Sequence, residues 1–229
     1  MKIKTTLVLC LAVAVALLCF TGCGKEVIVR PIQSASQDSE HNTEPNNNTA
    51  SYPSTLSETD VGDFENALND DSNYGFLLSD YDDVRDADMA QIFYIGAGLP
   101  APANADEIRA ASEATFTDGS PDCDSTILTA QQISDFLLLK TGYTLSDMSS
   151  CLTWSYLGDY DAYVHWHGDT NKLTINCIDG RQISENTYEI KYAFDGGFYD
   201  NDGNLLTGGM VTLKLSDGTL RFVSNSLHQ

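Results

Sequence analysis

Thr187-Tyr188-Glu189-Ile190-Lys191-Tyr192-Ala193-Phe194 decides the fold class. Tyr188, Ile190, Tyr192 and Phe194 share one parity, whereas Glu189 and Lys191 share the other. Successive side chains of a strand point to opposite faces, so this run predicts a strand with one apolar and one polar side. The alternation continues upstream. Leu152, Trp154 and Tyr156 share a parity; Ala162, Val164 and Trp166 oppose Tyr163, His165 and His167; Leu173, Ile175 and Cys177 oppose Thr174 and Asn176. Downstream, Val211, Leu213 and Leu215 oppose Thr212 and Lys214, and Ser216-Asp217-Gly218 turns the chain into Leu220 to Val223. The intervals are too short for crossover helices, which predicts an antiparallel meander of about six strands, covered on one side and wet on the other.

Helical spacing dominates nearer the N-terminus. Thr59 to Leu68, Met89 to Gly96 and Ala105 to Ala114 are candidate helices. Ala130 to Lys140 has the fullest signature: Thr129 and Gln132 form a capping box, Ile133, Phe136 and Leu137 make an apolar stripe, and Gly142 stops the helix. Helices followed by strands give an α+β domain, with the N-terminal helices packed on one face of the sheet.

The charge balance excludes one class of partner. The 229 residues carry 12 Lys+Arg against 33 Asp+Glu, a formal net charge of −21. Nucleic acid needs a stripe of bases to displace counterions, and this sequence has none. The excess is uneven: residues 58–124 hold 17 acids and two bases, whereas residues 125–229 hold 12 acids and six bases. The densest stretch, Asp80-Tyr81-Asp82-Asp83-Val84-Arg85-Asp86-Ala87-Asp88, is a candidate calcium loop, although it lacks the EF-hand spacing. A solvated loop that caps the next helix is the competing reading. Asp200-Asn201-Asp202-Gly203-Asn204 also fails the EF-hand pattern and reads as a hairpin turn.

The N-terminus reads as an address. Lys2 and Lys4 precede an apolar run from Thr6 to Phe20, which is short for a membrane span and suited to a signal peptide. It ends in Phe20-Thr21-Gly22-Cys23. This segment resembles the lipobox of bacterial lipoproteins, with Phe20 in place of the usual leucine. The resemblance implies cleavage after residue 22, diacylglycerol on the Cys23 thiol and often an acylated new amino terminus. It also implies attachment to the cell membrane, with the domain facing the exterior or periplasm. Each buried methylene contributes about 0.8 kcal/mol, so two or three chains hold the protein essentially permanently. Without Lys2 and Lys4 the net charge moves from −21 to −23. Residues 23–57 are rich in Ser, Asn, Thr, Gln and Pro and predict a disordered linker, leaving residues 58–229 as the acidic domain.

Within that domain, Tyr163-Val164-His165-Trp166-His167-Gly168-Asp169 is the most chemically suggestive stretch. Alternation puts both imidazoles on one side of a strand, roughly 6 to 7 Å apart, a spacing suited to zinc or copper. Asp169 or Asp161 is the candidate third ligand. The bland alternative is a polar strand face that happens to carry two histidines. Aromatic residues are also dense here, and parity sends Trp154, Tyr156 and Trp166 to the core. Tyr160 and Tyr163 then remain as a candidate surface for a glycan, peptide or protein.

The cysteines add little chemistry. Cys123, Cys151 and Cys177 remain in the domain, and the odd number leaves at least one thiol unpaired. Cys177 has core parity, while Cys123 and Cys151 are a candidate disulfide closing a loop of about 28 residues. No GxSxG, SxxK, P-loop or dinucleotide fingerprint is present, so no residue is assigned a catalytic role and no cofactor beyond candidate zinc or calcium. The expected function is a lipid-anchored binding or structural module, with a metal protein or metal-dependent enzyme built on His165 and His167 as the alternative.

Overall fold

The computed structural model describes residues 51–117, 121–200 and 203–229. The expected signal peptide, Cys23 and most of the expected linker lie outside the described residues, as do Asn201 and Asp202 of the expected hairpin turn. The domain is α+β with antiparallel sheets. The strands, however, form two sheets rather than one meander.

The larger sheet has the order β1-β5-β6-β7-β8, built from Ser54–Thr55 (β1), Ile175–Ser184 (β5), Thr187–Tyr199 (β6), Leu205–Ser216 (β7) and Thr219–His228 (β8). Tyr188, Ile190, Tyr192, Phe194, Val211, Leu213, Leu220 and Phe222 are all buried, as alternation requires. Two helices cover this sheet. Glu58–Leu68 (α1) packs on β5, and Ala130–Thr141 (α5) packs on β8. Ser57 and Asp60 close a capping box at the start of α1, and Thr129 and Gln132 close one at the start of α5. Gly142 ends α5 at φ 86°, a left-handed conformation that favours glycine, and its N–H donates to the Leu138 carbonyl at 3.0 Å.

Open sheet edges invite pairing with other chains, and here each edge of the larger sheet is partly occupied by other segments of the chain. Asn69, at the end of α1, donates its side-chain amide to the Ile175 carbonyl at 2.8 Å and accepts from the Ile175 N–H at 2.9 Å. One amide group thus imitates a neighbouring strand. The Glu65 carboxylate accepts from the Cys177 N–H at 2.8 Å, and β1 pairs with Arg181 and Gln182. Ser54 and Thr55 therefore belong to the sheet, although composition placed them in the linker. On the far edge, Tyr81 and Asn225 exchange both backbone hydrogen bonds, and the Asp80 carboxylate accepts from the Leu227 N–H at 2.8 Å. Buried Asn225 also accepts from the Tyr192 hydroxyl at 2.8 Å and donates to the Ser79 carbonyl at 2.8 Å.

The smaller sheet has the order β2-β4-β3, from Asp124–Thr129 (β2), Ser155–Leu157 (β3) and Ala162–His167 (β4). Sequence parity missed β2 because its two apolar residues are adjacent. Ile127 joins a satellite core with Ala162, Val164 and Ile108 of the helix Ala105–Glu113 (α4), while Leu128 faces the main core. A strand covered on both faces loses the period-two signal. The second short helix and the third are Asp71–Tyr74 (α2) and Met89–Ile92 (α3). The expected helix through Gly96 stops at Ile92, and the chain beyond it turns away, with Gly96 and Ala97 at φ of 74° and 51°. Among the described residues, no helix is long and apolar enough to cross a membrane.

A column of rings joins the two sheets. Phe222 stacks on Phe76 at 4.2 Å, and Phe76 leads through Phe136 and Phe93 to Trp154. Trp154 then stacks on His165 at 5.1 Å, and His165 on His167 at 5.4 Å. The two histidines continue the core outward.

Candidate ligand cleft

The strand that bears His165 and His167 keeps its predicted parity but loses its predicted wetness. Buried Trp154 covers His165, and both histidine rings are half-buried. Burial first, and His167 second, lower the pKa of His165 from its usual value. His167 Nδ1 lies 2.7 Å from the Gly168 carbonyl, which only accepts, so Nδ1 carries the proton. Nε2, 2.9 Å from Thr126 Oγ1, then accepts from that hydroxyl. Both nitrogens of His167 are thus engaged with protein atoms, and the rings stack instead of converging on a point. Asp169 is exposed, and Asp161 accepts from the Tyr156 hydroxyl at 2.8 Å. Among the described residues, no three His, Cys, Asp or Glu side chains come close enough to share an ion.

The candidate calcium run spreads over local turns. Asp83 bonds to Arg85, Asp88 caps α3 through the Ala90 N–H at 2.8 Å, and Asp80 turns to β8. The Arg85 guanidinium, through its hydrogen bond, lowers the Asp83 pKa to about 2. Tyr81, Val84 and Ala87 between them are buried.

Tyr160 and Tyr163 do not form one surface. Tyr160 packs with the satellite core and donates to Glu107 at 3.2 Å, whereas Tyr163 packs on the main core with its ring 4.9 Å from Tyr156. Tyr156 shares the face of Trp154 as parity predicts, yet is 52% exposed and not in the core. Trp166 joins the satellite core and donates to Ser112 at 3.0 Å.

Cys123 and Cys151 are exposed free thiols, not a disulfide. Each precedes a strand, and β4 lies between those strands. The Cys177 thiol is pushed up to about 12, first by burial and then by the Glu65 carboxylate, and is inert at neutral pH.

A concave feature lies elsewhere among the described residues, toward the tip of the β6–β7 hairpin. It is a cleft of about 700 Å³. Tyr74 of α2, with Leu78, Ser79 and Asp80 after it, forms one wall, and Asp88, Gln91 and Tyr94 around α3 form another. Asn171 and Leu173 of the β4–β5 connection close one end, and Leu227 and Gln229 add the end of β8. The hairpin supplies Gly197, Phe198, Tyr199, Asp200 and Leu206.

The hairpin reaches this position through a bulge. Ala193 pairs with Gly208 and Phe198 with Leu206, so residues 194–197 of β6 oppose only residue 207 of β7. Gly196 and Gly197 absorb the excess at φ of 101° and 73°, and a Cβ on Gly197 would sit 2.7 Å from the Leu206 carbonyl oxygen. Such bulges bend a strand and re-aim its side chains. Here Phe198 packs on Phe194 at 5.0 Å, while Tyr199 is left 71% exposed. The sequence pattern assigns no role to Gly196, Gly197, Phe198 or Tyr199, whereas Asp80 and Asp88 come from the candidate calcium run and Asp200 from the expected hairpin turn. The Gly-Gly pair inside a strand pattern was the available signal, but cleft residues drawn from five separate segments have no common motif.

No family model matches the chain, and neither a curated protein nor a solved structure matches it.

Proposed function

We propose that the chain is a membrane-anchored surface lipoprotein whose exocytoplasmic domain is a binding module, with its ligand seated in the cleft beneath the β6–β7 hairpin. The cleft carries this reading. Its volume of about 700 Å³ suits a small ligand or a short segment of a larger one. Its walls combine tyrosine and phenylalanine rings with a few fixed polar groups, the usual make-up of a recognition site. Lipidation at Cys23 rests on the sequence pattern of residues 2–23, and it would keep such a module at the membrane.

Two measurements test the proposal. Labelled palmitate should enter the wild-type protein in a bacterial host and be lost from Cys23→Ser; equal labelling of the variant overturns the anchor. Ligand-observed NMR with amines, sugars, peptidoglycan fragments and short peptides should find a binder that Asn171→Trp excludes. Asn171 is exposed at the cleft wall, so the indole fills the cleft without disturbing the core. Binding that survives Asn171→Trp places the ligand outside the cleft and overturns the assignment.

A further inference from the structure

Resting on the cleft reading, we propose that the occupant is an organic cation, an ammonium group carried on an apolar or aromatic body. The charged residues among the described lining are Asp80, Asp88 and Asp200, with no lysine, arginine or histidine. Two of these carboxylates are fixed by neutral donors, Asp80 by the Leu227 N–H and Asp88 by the Ala90 N–H, each at 2.8 Å. These bonds hold the side chains in place without cancelling their charge. A ligand anion would meet like charge, whereas an ammonium meets preset acceptors.

The rings reinforce the same preference. Aromatic faces attract cations; the Tyr74 ring is already engaged by the Lys172 ammonium at 5.5 Å, which leaves Tyr94 and the 71% exposed Tyr199 of the lining for a ligand. Lys172, between the lining residues Asn171 and Leu173, does not supply a counter-charge to the interior. Its ammonium is held by Asp71 at 2.6 Å and by the Asn69 carbonyl. Leu78, Leu206 and Leu227 give the apolar body of the ligand its contact surface.

The test compares three probes of similar size on the purified protein by NMR titration at neutral pH and low salt: 2-phenylethylammonium, the neutral N-(2-phenylethyl)acetamide and the anion 3-phenylpropanoate. The ammonium is expected to bind at least tenfold tighter than the amide, and the anion weakest. Asp80→Asn/Asp88→Asn keeps the two acceptor oxygens, and asparagine caps helices as well as aspartate does. It should lower ammonium affinity about tenfold and leave the amide unchanged. An amide that binds the wild type as tightly as the ammonium, or an ammonium unaffected by the double substitution, overturns the cation while the cleft reading stands. If none of the probes perturbs a cleft signal, the cation falls, and the cleft reading is decided by the Asn171→Trp comparison.

Discussion

The β3–β4 region and the β6–β7 hairpin tip are both rich in aromatic residues, but they use them in opposite ways. Around β3 and β4, Tyr156, Tyr160 and Trp166 donate to Asp161, Glu107 and Ser112, and Trp154 is sandwiched in the ring column. At the hairpin tip, Phe198 anchors against Phe194 and Tyr199 is left exposed over a cleft. Aromatic density in a sequence therefore measures packing demand as well as recognition. Availability depends on what lies opposite each ring, which a tertiary bulge or a covering helix decides.

Trp154→Ala is the strongest test of this contrast. The indole is 7% exposed and links Phe93 to His165, so its removal leaves a cavity between the two sheets. The expected loss is about 3 to 5 kcal/mol in urea unfolding. A loss below about 1 kcal/mol would mean that the ring column does not join the sheets, and the β3–β4 rings would regain their claim to be a surface.

The larger sheet was legible for a simple reason. Tyr188, Ile190, Tyr192 and Phe194 are buried while Lys191 is exposed, so one chemical alternation records one buried face. The capping residues of α5 were equally readable, because Thr129, Gln132 and Gly142 act within one turn of their own positions. The smaller sheet was not legible as a separate layer. Ile127 and Leu128 serve two cores at once, and nothing local in Asp124 to Thr129 announces that α4 covers one of them. The candidate tyrosine surface is divided for a related reason. His165, His167, Tyr160 and Tyr163 are close in sequence, but strand parity and a turn send the tyrosines to different cores. The cleft residues are brought together only by the closing of the sheet and the bend at Gly196 and Gly197.

His165 offers an intermediate effect within the same comparison. Its pKa is lowered by burial, so the folded protein binds this proton less readily than the unfolded chain does. The stability that it contributes is present above its unfolded pKa near 6.5 and is lost as pH falls below that value. His165→Phe keeps a ring against Trp154 and removes the proton site. Thermal midpoints measured between pH 7 and pH 5 should fall less steeply in the variant than in the wild type. Parallel slopes would show that His165 is no more desolvated than a surface histidine, and the outward extension of the core would end at Trp154.

Tyr199→Ala should have the smallest effect on stability and the clearest effect on recognition. The side chain is 71% exposed, and substitutions at such positions usually stay within about 0.5 kcal/mol. Tyr160→Ala supplies the matched control. It removes the bond to Glu107 and contact with the satellite core, and should cost about 1 kcal/mol. For any compound that binds the wild type, Tyr199→Ala should weaken affinity severalfold, while Tyr160→Ala should leave it unchanged. If binding follows Tyr160 instead, recognition belongs to the β3–β4 region, and the bulge at Gly196 and Gly197 shapes the hairpin for a purpose other than holding that ligand.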